Sequence, residues 1–122
     1  MSVFGVHMLL YTSEPEKVRA ILRDVFGWTH VDAGDGWLIF KTPPSEIGVH
    51  PAGGPTHEGG TRHLISFMCD DIHRTIAELR ARGIEFAGEP QEEGYGITIQ
   101  MKLPGGCEVM LYEPRHRMAI DL

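Results

Sequence analysis

His63-Leu64-Ile65-Ser66-Phe67-Met68-Cys69-Asp70-Asp71-Ile72, continuing to Arg80-Ala81-Arg82-Gly83, decides the fold, because its apolar period changes once and then stops. His63 to Met68 has the residue types of a strand. Asp70-Asp71 then offers a cap and an acidic first turn, Ile72, Ile76 and Leu79 fall at helical spacing, and Gly83 ends the helix. The same pattern occurs earlier in the chain. Val6-His7-Met8-Leu9-Leu10-Tyr11 is strand-like, Ser13-Glu14-Pro15-Glu16 is a helix start with an early proline, and Val18, Ile21, Leu22, Val25 and Phe26 lead to Gly27. His7 matches His63 and Gly27 matches Gly83, a common offset of 56.

The second half of each unit repeats at an offset of 60. Gly36 to Phe40 matches Gly96 to Gln100, Pro44 matches Pro104, and the stretch from Glu46 matches the one from Gly106, so four extra residues sit inside the second unit. Each unit therefore reads as βαβββ, the first over about 3–51 and the second over about 62–114. The glycine- and proline-rich stretch at about 52–61 is the linker. The expected fold class is α+β within one domain, 1–122: two βαβββ units form a concave mixed sheet with the helices on its outer face.

Composition narrows the function. The chain has 122 residues, 42% hydrophobic and 23% charged, too few for two ordinary cores and too apolar for disorder. Seventeen acidic against 11 basic side chains leave a net charge of −6 with no dense basic run, so nucleic acid is not an expected partner. No apolar stretch approaches membrane-spanning length and the N-terminus lacks a signal-peptide pattern, so no membrane partner and a cytoplasmic location are expected. Cys69 and Cys107 suit buried free thiols.

The paired units, the histidine in the first strand of each, and Pro104-Gly105-Gly106 ahead of the last strand resemble the vicinal oxygen chelate superfamily, which covers glyoxalases, bleomycin-resistance proteins and extradiol dioxygenases. The resemblance runs from about Val3 to Pro114. One scaffold hosts many reactions there, so it implies a fold more sharply than an activity.

Strand alternation then sorts the side chains. Val6, Met8 and Leu10 form the set expected to pack under the helix, leaving His7, Leu9 and Tyr11 on the concave face. In the second unit Leu64 and Met68 are expected to pack, with His63, Ile65, Phe67 and Cys69 concave. At the last strands His50 turns inward in the first unit, and Glu108, Met110 and Tyr112 turn inward in the second. His7, His50, His63 and Met110 are thus related by the internal repeat, and the resemblance implies that they occupy the four metal-ligand positions of the superfamily.

Three imidazoles suit a divalent zinc, iron, nickel, manganese or copper ion. Met110 departs from the glutamate that metal-dependent relatives usually carry. The loss weakens a faithful glyoxalase, whose carboxylate is ligand and base, and an iron dioxygenase, which uses two histidines and a carboxylate. The leading expectation is a metal-dependent enzyme of lyase, isomerase or dioxygenase type acting on a small oxygen-chelating substrate. His7, His50 and His63 would be its ligands, Glu108 the catalytic base, and Tyr11, Gln100, Met110 and Tyr112 the substrate contacts. The alternative is a metal-free protein that sequesters a small aromatic or amphipathic molecule. Either form is expected to be a homodimer, because open half-sheets have edges to pair.

Overall fold

The computed structural model describes residues 4, 6–49 and 63–122. The 52–61 linker and His50 lie outside them. Helix α1 (Pro15–Asp24) starts on a proline, which has no N–H to leave unpaired. Its cap residue Glu14 makes no side-chain cap bond; the carboxylate pairs instead with Lys17 at 2.6 Å. Thr12 takes over at the helix entry: its Oγ1 accepts the Glu14 N–H at 3.1 Å and donates to the Pro104 carbonyl at 2.5 Å. Helix α2 (Ile72–Ala81) is capped by Asp71, whose carboxylate accepts the Arg74 N–H at 3.1 Å. Glu113 accepts the Ile72 N–H at 2.9 Å and fixes that helix end to the sheet. Gly27 and Gly83, the matched pair of the repeat, leave the two helices in the left-handed region at φ +70° and +89°.

The second unit forms the expected βαβββ. Strands β3 (Ser66–Met68), β4 (Glu85–Glu93), β5 (Gly96–Leu103) and β6 (Cys107–Pro114) make one sheet in the order β3-β6-β5-β4. The β3–β6 pair is parallel and the others are antiparallel. The extra length of this unit falls partly in a bulge between Ala87 and Gln91, where β4 takes four steps to two on β5. One face of the sheet carries the core: Ile97, Ile99, Met101, Leu103, Cys107, Val109 and Leu111 meet Ile72, Ile76 and Leu79 of α2 and Val18 and Leu22 of α1. Both helices thus share one core. The Arg82 guanidinium, just past α2, donates to the carbonyls of Asp24 at 2.9 Å and Val25 at 3.2 Å, placing a positive group at the negative end of α1.

The first unit is less complete. Strands β1 (His30–Asp32) and β2 (Leu38–Phe40) form a two-stranded antiparallel sheet. The stretches expected as its first and last strands, 6–11 and 46–49, carry no strand pairing. They leave Val6 at 65%, Leu9 at 54%, Ile47 at 77% and Val49 at 94% exposure. The architecture is therefore α+β, with two α-helices and two sheets among the described residues, neither sheet closed.

One facing is reversed. In the parallel pairing Ser66, Phe67 and Met68 stand beside Met110, Leu111 and Tyr112, so Phe67 shares the buried side of Leu111. Ile65, Phe67 and Cys69 pack against the core, contrary to the alternation read from the sequence, and Ser66 and Met68 take the concave face. The Phe67 ring meets Phe26 and Trp28 edge-on at centroid distances of 5.5 and 5.1 Å. These aromatic contacts outbid the packing of Leu64, which is left 63% exposed.

Cys69 and Cys107 are both free thiols, as expected. Burial pushes the Cys69 thiol up to about 11, with a smaller upward push from the carboxylates of Glu113, Asp70 and Asp71. The thiolate is the nucleophile, so alkylation of Cys69 by iodoacetamide at pH 7.5 should run at less than about a tenth of the rate for an unperturbed thiol. Rapid labelling confirmed by peptide mass would contradict that burial.

Candidate small-molecule cleft

The run-in to β3 and the stretch before α1 come together over β5 and β6. They bound an open cleft of about 210 Å3, lined by Leu9, Leu10, Tyr11, His63, Leu64, Ile65, Gln100, Cys107, Glu108 and Met110. The cause is the register of the sheet. Gln100 pairs with Met110 across β5 and β6, so both side chains leave the same, helix-free face. Glu108 pairs with Lys102 two residues along the same face. Cys107, Val109 and Leu111 take the opposite, buried parity, as the alternation of β6 requires.

The residues singled out by sequence separate into three groups. Tyr11, His63, Gln100, Glu108 and Met110 line the cleft together. His7 is exposed outside that lining, and His50 lies outside the described residues. Tyr112 has the inward parity but sits at the other end of the face. Its hydroxyl donates to the Tyr95 carbonyl at 3.2 Å, and its ring contacts those of Tyr95 and His116, each with a centroid distance of 5.9 Å. Leu9, Leu64 and Ile65 also line the cleft, although the reading of ligand chemistry did not select them. Only their adjacency to Tyr11 and His63 in the chain signalled it.

The chemistry of the cleft is mixed. Leucine, isoleucine and methionine give apolar walls, Tyr11 an aromatic one, and Gln100 an amide that both donates and accepts. For a metal the donors on the cleft face are His63, the Glu108 carboxylate and the Met110 thioether, with His7 outside the lining. Among the described residues no group of three His, Cys, Asp or Glu side chains is close enough to hold an ion. The described donors alone therefore do not make a complete metal site.

A sequence model described as the Glyoxalase/Bleomycin resistance protein/Dioxygenase superfamily matches residues 6–111. The chain belongs to this superfamily. Its members often use divalent metals. The uncharacterized protein YetH of Bacillus subtilis (strain 168) is 37% identical over 49 residues, which span 40% of this chain and 41% of that relative. Among solved structures, TnmS3, an antibiotic binding protein from Streptomyces sp. CB03234, is similar at a TM-score of 0.64 and 22% identity, covering 93% of this chain and 98% of that one. A lactoylglutathione lyase from Agrobacterium tumefaciens is similar at 0.61 and 20%, covering 92% and 94%. At these identities the structures establish the shared fold. No described helix is long and apolar enough to cross a membrane.

Proposed function

We propose that this superfamily member binds a small, partly aromatic or amphipathic molecule in the cleft between residues 9–11 and 63–65. The observation that carries the reading is the mixed wall chemistry: Leu9, Leu64 and Met110 supply apolar patches, while Gln100, His63, Glu108 and the Tyr11 ring bring polar and aromatic groups to the same cleft. The antibiotic binding named for the Streptomyces structure is consistent with such a role. Titration with 1-anilinonaphthalene-8-sulfonate, followed by its fluorescence, tests the site with an available amphipathic probe. Replacing Gln100 with Trp fills the cleft from a half-buried position and should weaken the probe by tenfold or more. Equal binding by Gln100→Trp would remove the cleft as the site.

The metal-dependent enzyme is the second reading, favoured by His7 and His63 at equivalent points of the repeat. In that reading His7, His50 and His63 hold a divalent ion, and Glu108, exposed on the same face as Met110, moves a substrate proton. Elemental analysis of untagged protein separates the two. One ion per chain, lost in both His7→Ala and His50→Ala, supports the enzyme; retention in these variants refutes the three-histidine site.

A homodimer belongs to either reading. Members of the superfamily bind small molecules and often form dimers. The cleft of about 210 Å3 falls below the roughly 300 to 1,000 Å3 of ordinary ligand pockets. Phe4, Val6, Ile47 and Val49 stand exposed in the unpaired stretches of the first unit, where a second chain would gain strand pairing and apolar burial. Light scattering at micromolar concentration should give twice the 13.6 kDa chain mass; a monomer would overturn this assignment.

A further inference from the structure

The concave face does not stay open along its whole length. The Gln100–Met110 rung lines the cleft, yet Thr98 on the next rung, paired with Tyr112, is only 7% exposed. Tyr112 crosses toward β5: a methyl placed on Gly96 would come within 2.6 Å of its ring. The rings of Tyr95 and His116 each lie 5.9 Å from that ring, centroid to centroid. His116 belongs to the C-terminal segment, which turns back after β6.

This segment is held by a residue from the first unit. Glu46 accepts the Ala119 N–H through Oε1 at 2.8 Å, which caps the short turn Ala119–Asp121, and its Oε2 lies 3.8 Å from His116 Nε2. The other ring nitrogen of His116 donates to the Arg117 carbonyl at 2.9 Å, since that carbonyl only accepts. Arg115 forms an ion pair with Glu92 of β4 and donates its N–H to the Tyr95 carbonyl at 2.9 Å, fixing the turn. The Glu46 side chain is 19% exposed and that of His116 40%, so the latch sits at the surface edge with its carboxylate the better covered partner. Burial, then the charges of Tyr95 and Glu46, raises the Tyr112 hydroxyl above its ordinary range.

We infer that residues 115–122, latched by Glu46 and backed by the Tyr95–Tyr112 pair, form an end wall that limits the length of ligand the concave face admits. The inference rests on the small-molecule reading and names a property of the same site: specificity for short ligands. Alternating residues on β6 lie about 6 to 7 Å apart, so withdrawing the wall exposes one further rung beyond Met110. The added space would be aromatic, with the Tyr112 ring as its floor.

The test uses the full chain and two probes, 1-anilinonaphthalene-8-sulfonate and its doubled form, the 4,4′-dimer. Wild-type protein should bind the short probe tenfold or more tightly than the long one. Glu46→Ala and His116→Ala should each strengthen the long probe by about tenfold and leave the short one unchanged, with amide exchange at Ala119 faster in Glu46→Ala. Unchanged exchange, or variants that discriminate as the wild type does, would overturn the wall while leaving the binding site intact. Short-probe binding that is indifferent to Gln100→Trp would instead remove the binding reading, and the wall with it.

Discussion

Replacing Gly105 with alanine should destabilise the protein by about 3 kcal/mol or more, lowering the melting temperature by about 10 °C. Two effects add at this position. Gly105 has φ +78°, a left-handed conformation that costs an L-residue roughly 1 to 2 kcal/mol. An added methyl would also come within 2.5 Å of the Glu14 backbone nitrogen and 2.8 Å of the Ser13 nitrogen, and would run into the Thr12 hydroxyl. Those atoms are the entry to α1. Ser13 donates to the Gly105 carbonyl at 3.2 Å, so the methyl pushes the helix start off the β5–β6 turn that holds it. Gly106 is the internal control, because it has φ +75° with open space around its missing Cβ. Gly106→Ala should cost only about 1 kcal/mol, and Gly106→Asn less, since asparagine tolerates this conformation. Chemical denaturation of the variants checks both; equal losses at the two glycines would mean that close approach contributes nothing.

Phe67→Ala should cost about 2 to 4 kcal/mol of stability and leave the affinity for 1-anilinonaphthalene-8-sulfonate unchanged. The ring is half-buried, faces the core beside Leu111, and completes a cluster with Phe26 and Trp28, whose own centroids lie 5.4 Å apart. Truncation leaves a void that α1, β3 and the segment after α1 cannot jointly close. Had the chain adopted the alternation expected from sequence, Phe67 would have stood in the cleft, and the same substitution would weaken the ligand and spare the fold. A urea melt with a parallel probe titration tells these outcomes apart. Loss of binding at constant stability would refute the facing of β3.

The internal repeat was legible because it is written in short-range terms. Helix period, a cap such as Asp71, a proline at the first helical position and the matched glycines Gly27 and Gly83 all act within a few residues of themselves, so their meaning does not wait for the rest of the chain. The parity of β6 was legible for a related reason. Cys107, Val109 and Leu111 alternate with Glu108, Met110 and Tyr112, and a charge in the second set marks which side meets water.

At β3 that marker is missing. Leu64, Ile65, Phe67 and Met68 are apolar on both parities, so alternation carries no sign, and the side that faces the core was decided by Phe26 and Trp28 arriving from the first unit. Strand pairing at 6–11 and 46–49 is likewise not a local property, since a strand needs an edge beside it, whatever its own residues favour. The joining of Tyr11 to His63, Gln100 and Met110, and the reach of Glu46 to the C-terminal turn, are contacts across 50 residues or more. The sequence by itself determined the βαβββ order of the second unit, the ends of both helices and the apolar side of β6, since each follows from neighbours along the chain. Only the tertiary structure decided the facing of β3, the shared core of the two helices and which residues meet in the cleft, because those depend on surfaces that distant segments bring together.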